Sequence, residues 1–170
     1  MVHSIELTFD RETEAAVRQL WDRLAEAGIP SQAPAARPHV TLLVGEQIST
    51  DVDALLVPLC QRLPLPCIIG APVLFGRGSA VLARLVVPTA ELLALHAEVH
   101  RRCVSHLAPG PAPHCVPGEW TAHVTLARHV RGGELGRALR IAGRPSQIRG
   151  GFAGLRRWDG DKRVEHPIGG

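Results

Sequence analysis

The tetrapeptide His-Val-Thr-Leu occurs twice in the chain, at positions 39–42 and again at 123–126. Imidazole titrates near neutrality, so a histidine takes or gives a proton at working pH. In an extended strand a residue and its second neighbour project from the same face. The repeat therefore predicts two polar pairs, His39 with Thr41 and His123 with Thr125, while Val40, Leu42, Val124 and Leu126 turn toward apolar packing. If the pairs face each other across one groove, one histidine removes a proton from an attacking oxygen. The other delivers a proton to a leaving oxygen on the far side. In-line displacement at a phosphodiester requires those two events, and the threonine hydroxyls can donate to the non-bridging oxygens where charge builds up. No carboxylate or third ligand stands beside either histidine in the sequence, and two imidazoles alone make a poor zinc set. No metal or other cofactor is expected.

Such pairs need strands to carry them. Residues 2–9 alternate, with Ile5, Leu7 and Phe9 on one face. Asp10 caps a helix in which Val17, Leu20, Trp21 and Leu24 recur at helical spacing, and Gly28 stops it. A Pro/Ala-rich loop leads to the first motif strand, ending at Val44. A shorter helix is expected over 50–63, then strands near 66–75 and 79–87 around the turn Gly76-Arg77-Gly78-Ser79. The order then repeats. After the 79–87 strand, a helix opens with Pro88 and a capping Thr89 and buries Leu92, Leu95, Val99 and Cys103 on one face. A Pro/Gly-rich loop leads to the second motif strand, followed by a short helix near 134–141 and strands near 145–149 and 152–158. Strand, helix, loop, motif strand, helix and strand pair recur in both halves. That is an internal duplication of elements within one bilobal domain over 1–170, with halves of about 1–77 and 78–170. Whether the first lobe borrows the chain's last strands or lends its own stays open.

With these flanks, Pro38-His39-Val40-Thr41-Leu42-Leu43-Val44-Gly45 and His123-Val124-Thr125-Leu126-Ala127-Arg128 resemble the paired motifs of the 2H phosphoesterase superfamily, in particular its bacterial 2′-5′ RNA ligase-like branch. Ala122 stands where proline often precedes the second histidine. The resemblance implies an α+β fold with two antiparallel sheets flanking a central cleft and helices packed outside. It implies metal-independent cyclic phosphodiesterase chemistry on 2′,3′-cyclic phosphates, or reversible 2′-5′ ligation of RNA ends. It carries His39, Thr41, His123 and Thr125 over as the catalytic quartet. RNA ends or nucleotides bearing a cyclic phosphate are the expected partners, and no obligate protein partner is evident.

Further residues are candidates for substrate binding. Arg37 and Thr121 each precede a motif histidine by two, which places them on the groove side, as ligand contacts or as solvated rim. Aligning the halves by their first strands matches Glu6 with Arg84. A charge inside an apolar strand needs water, a partner or a ligand, so Arg84 is expected either to line the cleft and contact phosphate, with Glu6 opposite, or to form a structural ion pair with Glu6. Arg128 follows the second motif, yet strict alternation turns it away from His123 unless the strand ends or bulges. Trp120, with Phe9 and Trp158, is among the few aromatics near the motifs that could stack on a base. His96 and His100, four apart on a helix, are expected on a solvated face.

Composition bounds the rest. The chain has 170 residues, 45% apolar but only 4% aromatic with no tyrosine, so its core must rest on aliphatic side chains. A net charge of +3 allows an anionic ligand but is too small for a dedicated nucleic-acid coat. The four cysteines form no CxxC pair and are expected as reduced thiols of a cytoplasmic protein. The amino-terminal residues lack signal-peptide character, and no apolar run is long enough for a membrane span. Two other readings remain beside the enzyme: a binding module for RNA ends or nucleotides that keeps the fold without turnover, and a metal-dependent hydrolase using the His-rich helix.

Overall fold

The computed structural model describes residues 1–32, 35–76 and 79–170. Its elements, in chain order, are β1 (His3–Phe9), α1 (Arg11–Glu26), β2 (His39–Gly45), β3 (Gln47–Ile48), α2 (Val52–Leu56), β4 (Leu65–Phe75), β5 (Ala80–Val86), α3 (Ala90–Cys103), β6 (Leu107–Ala108), β7 (His123–Val130), α4 (Leu135–Ala142), β8 (Ile148–Asp159) and β9 (Val164–Pro167). The architecture is α+β and its strand pairings are antiparallel. The capping signals act as read. The Asp10 carboxylate accepts from the amide of Thr13 at 2.9 Å, the Thr89 hydroxyl accepts from Leu92 at 3.2 Å, and Gly28 takes the left-handed φ of +74° that ends α1.

The large sheet runs in the order β2-β1-β8-β4-β5-β7, with β9 also on β8. The expected two sheets are thus two arms of one hydrogen-bonded path. The first arm is β2-β1-β8 and the second β4-β5-β7. Each arm takes a strand from the other half of the chain: β8, near the chain end, lies beside β1, and β4 lies beside β5. β8 links the arms because one stretch of it pairs with β4 and the next with β1, Phe152 standing opposite both Leu65 and Phe9. The rings of Phe9 and Phe152 stack there at 5.1 Å. The motif strands β2 and β7 are the two ends of the path, and they approach each other. A two-stranded sheet, β3 with β6, lies apart.

Two local expectations change. Residues 52–62 form one α-helical turn and then a 3₁₀ stretch containing Pro58, which has no amide hydrogen to continue an α-helix. The closing strands are one long β8 that turns into β9. The expected gap falls at Gly150 and Gly151, which with Gly154 are where side chains press on the strand. A Cβ at Gly150 would stand 2.0 Å from Thr13 Oγ1, one at Gly151 2.8 Å from Asp10 Oδ2, and one at Gly154 2.9 Å from Thr8 Oγ1. Helix α1 can therefore seat its first turn directly on β8. No described helix is long and apolar enough to cross a membrane. All four cysteines are free, and burial pushes the Cys67 thiol up to about 12 and Cys103 to about 11.

Candidate active site

In both motif strands, His and Thr are half-buried on one face while Val and Leu are buried on the other. The register shows how the strands are shaped. Along β2, Leu43 pairs with Ile5 and Thr41 with Glu6, so Leu42 is the extra residue of a bulge. Along β7, Thr125 pairs with Ala83 and Ala127 with Leu82, so Leu126 is the extra residue. The bulge sits at the same leucine of both His-Val-Thr-Leu copies. It resets the alternation, and that settles the direction of Arg128. Ala127, opposite Leu82, is buried, and Arg128 comes round to the face of His123 and Thr125.

The two histidines are held alike. Nδ1 of His39 lies 2.8 Å from the carbonyl oxygen of Arg37, and Nδ1 of His123 lies 2.7 Å from that of Thr121. A carbonyl only accepts, so each Nδ1 carries the hydrogen and Nε2 is left as the reactive atom. Arg37 and Thr121 thus act on the motifs through their backbones. The Arg37 side chain is turned to Glu14 at 3.1 Å and Glu165 at 3.8 Å. The hydroxyls of Thr41 and Thr125 form no hydrogen bond among the described residues, which leaves them available to a ligand.

The surroundings of the two rings differ. His39 Nε2 is 3.5 Å from Glu6 Oε1, a contact that becomes an ion pair when the ring is protonated. Glu6 is only 3% exposed and is held by Ser4 Oγ at 2.5 Å and by Arg156, whose Nε donates to Oε2 at 2.7 Å. Arg156 also pairs with Glu165 and stands 3.3 Å from the His39 ring. His123 has an aromatic neighbour instead, the Phe75 ring at 4.6 Å. Burial pushes its pKa below the usual histidine value. The Thr121 carbonyl opposes that shift, and the charges of His39 and Arg128 add to it. The strands that carry the two rings, β2 and β7, approach each other.

Two candidates have other roles. Arg84 does not line the cleft. It is fully buried, and its guanidinium donates to the carbonyls of Gly70, of Ala142 at 2.6 Å, of Ser146 at 2.9 Å and of Ile69 at 3.4 Å. The cause is register. Glu6 lies opposite Thr41, but the residue opposite Thr125 is Ala83. Arg84 lies one place along, opposite Val124, and a one-residue slip turns a side chain to the other face. Nor does Arg84 pair with Glu6, whose partner is Arg156. Trp120 is not free to stack on a base as expected. Its indole lies parallel to the His96 ring at 4.0 Å, planes 2° apart, and Nε1 donates to the Thr41 carbonyl at 3.0 Å. His96 is only 1% exposed, not on a solvated helix face, and its Nε2 bonds to the Leu42 carbonyl at 3.2 Å.

The sequence reading missed Arg156, Glu165 and Phe75 at the site. An arginine within the apolar-patterned stretch Gly154-Leu155-Arg156-Arg157-Trp158 was the available signal for the first. The sequence reading set Glu6 in the cleft opposite Arg84, but not beside His39, to which the pairing of β1 with β2 brings it. Among the described residues, His3, Asp159 and Asp161 bring three metal-ligating atoms within 4.8 Å of one another. They sit at the opposite end of β1 from the motif, since His3 pairs with Gly45 and Thr8 with His39. Asp159 Oδ1 there caps the amides of Asp161 and Lys162, which closes the β8–β9 turn.

The family model described as the 2′-5′ RNA ligase superfamily matches residues 9–154. The chain belongs to that superfamily, a group of 2H phosphoesterases whose members are phosphodiesterases and ligases in general. Among solved structures it is similar to TT0787 of Thermus thermophilus, with 17% identity and a TM-score of 0.61 over 99% of this chain and 95% of that one. It is also similar to Usb1 of Kluyveromyces marxianus, with 11% identity and a TM-score of 0.51 over 98% of both chains. At these identities the likeness concerns the fold. No curated protein sequence matches the chain.

Proposed function

We propose that the protein is a phosphodiesterase that opens 2′,3′-cyclic phosphates at RNA ends or on nucleotides, with His39 and His123 as its proton-transfer pair. The observation that carries this reading is the matched hold on the two imidazoles. Each Nδ1 is fixed by the carbonyl two residues upstream, on motif strands that approach each other. A module that only binds has no need of two poised proton-transfer groups.

The different surroundings of the two rings support a division of roles. His123, whose pKa is depressed by burial and by cationic neighbours, is neutral and serves as the base. Its Nε2 takes a proton from water as the water oxygen attacks phosphorus. His39, whose Nε2 faces the Glu6 carboxylate at 3.5 Å, serves as the acid and gives its Nε2 proton to the ribose oxygen as the phosphorus–oxygen bond breaks. Charge building on the non-bridging oxygens meets the Thr41 and Thr125 hydroxyls and the Arg128 guanidinium. The same two proton transfers, with the 5′-hydroxyl of a second ribose in place of water, form a 2′-5′ linkage: His123 takes the hydroxyl proton as its oxygen bonds to phosphorus, and His39 gives a proton to the departing 3′-oxygen. Phe75, against His123, is the aromatic surface offered to a base.

The test is hydrolysis of 2′,3′-cyclic AMP by the wild type, His39→Ala and His123→Ala. Turnover should fall by about 10²-fold or more in each variant, with nucleotide still bound. A wild type that binds the nucleotide without opening it would be a binding module, and the enzymatic reading would fall.

A further inference from the structure

We propose that Trp21 and Trp120 are reciprocal positioning residues, the indole from each half of the chain fixing the motif strand of the other half. The proposal rests on the catalytic reading above for its purpose, and on geometry for its existence. Trp21, on α1 of the first half, donates from Nε1 to the carbonyl of Thr125 at 3.1 Å. Trp120, in the loop before the second motif, donates from Nε1 to the carbonyl of Thr41 at 3.0 Å. The accepting residue is the same in both copies of the repeat, and each donor crosses to the opposite half.

The topology explains why these carbonyls need donors. Among the described residues, β2 and β7 are end strands, each paired with another strand of the sheet on one side only, with a single bridge from Ser31 to Ala127 added on β7. The bulge at Leu42 and at Leu126 disturbs the pairing further, and the carbonyls of both leucines also accept side-chain donors. Leu42 receives His96 Nε2 at 3.2 Å, and Leu126 receives Ser31 Oγ at 3.3 Å. Each motif therefore has two consecutive carbonyls, of Thr and of Leu, held from outside its own sheet arm. An edge strand with unsatisfied carbonyls could shift along its neighbour. Proton transfer at one phosphorus from two sides tolerates little displacement of either imidazole. Tying each motif to the opposite half couples the two positions, so the gap between the rings does not depend on the flexing of β8 between the arms.

Trp21→Phe and Trp120→Phe keep an aromatic ring and remove the donor. We expect kcat on 2′,3′-cyclic AMP to fall about five- to ten-fold in each, the equivalent of one hydrogen bond, with KM within about two-fold of the wild type. Amide hydrogen exchange provides the readout that packing alone would not produce. Trp120→Phe should lose protection over residues 39–43 while 123–127 stay protected, and Trp21→Phe should show the reverse. Loss confined to the half that carries the mutated tryptophan, or no loss at all, would overturn the proposal. So would full kcat in a variant whose opposite motif has lost protection. An inert wild type would overturn the catalytic reading and with it the purpose assigned to the pair, whereas the exchange pattern would still decide whether the tether itself exists.

Discussion

Nη2 of Arg156 lies 2.6 Å from Oε2 of Glu6, both side chains almost wholly withdrawn from solvent, and the other oxygen of that carboxylate faces His39. The corresponding position in the second half is Ala83, so a nearly symmetric frame carries an asymmetric charge distribution. Arg156→Met would leave the Glu6 carboxylate buried without its main partner. Such orphaned charges cost about 3–5 kcal/mol. Adding Glu6→Gln should return a large part of that loss, because the neutral amide has less to lose by burial. Urea unfolding of the two single variants and the double variant measures this as a coupling energy. Strictly additive losses would mean that the two residues act independently.

The rate should be bell-shaped in pH, since one imidazole must be neutral and the other charged. Activity on the acidic side requires His123 to lose its proton. Its pKa is depressed, so that limb should lie below the unperturbed histidine value of about 6.5. Arg128→Gln removes a positive neighbour that favours the neutral ring. The His123 pKa should then rise and the acidic limb move to higher pH. A pH–kcat profile of the two proteins checks the direction, and an unmoved limb would place Arg128 outside electrostatic reach of the base.

The motif pairs were legible because repetition and period-two spacing are properties of the sequence itself. So were α1 and α3, whose caps and apolar faces are local. The partners of those motifs were not. Whether Glu6 aligns with Ala83 or Arg84 depends on which residue of β1 and of β5 pairs with the motif threonine, and strand register leaves no composition signature. Trp21 and Trp120 reach their carbonyls across the two halves, and nothing near either residue in the sequence indicates that. The role of the β8 glycines was hidden as well, because the side chains that require them, Thr13, Asp10 and Thr8, lie far away in sequence.

Arg84 gives that lesson a measurable form. Its guanidinium saturates carbonyls at the end of α4 and at Gly70, a place where a cation also meets the negative end of a helix. Arg84→Met should therefore lower stability by about 2–4 kcal/mol through unsatisfied buried carbonyls. KM measured well below the melting temperature should stay at the wild-type value. A raised KM in a protein of unchanged stability would return Arg84 to the substrate.

Gly150→Ala tests the seating of α1 on β8. The added methyl would overlap Thr13, whose Oγ1 also receives the amide of Gly151 at 3.1 Å, so the helix must lift or the strand bend. Overpacking of this kind costs about 1–3 kcal/mol. Thr13→Ala in the same chain should recover part of the loss by making room, although it gives up that hydrogen bond. Thermal melts of the three variants separate the steric part from the polar part.

Acid should weaken the fold through His96. Burial lowers its pKa, against carbonyls of Leu42 and Cys115 that favour the charged ring. The unfolded chain then binds a proton more readily than the folded one. Stability from this group is complete above the unfolded value of about 6.5 and is lost as the pH falls from there toward the lower folded value. His123, shifted the same way, contributes in the same window. His96→Gln removes one of the two titrations while retaining a donor for the Leu42 carbonyl. Its melting temperature should be lower than the wild type's at pH 7.5 but should fall less between pH 7.5 and 5. Parallel pH curves for the two proteins would show that the buried ring does not discharge on folding, and the acid sensitivity would then belong to His123 and the carboxylates.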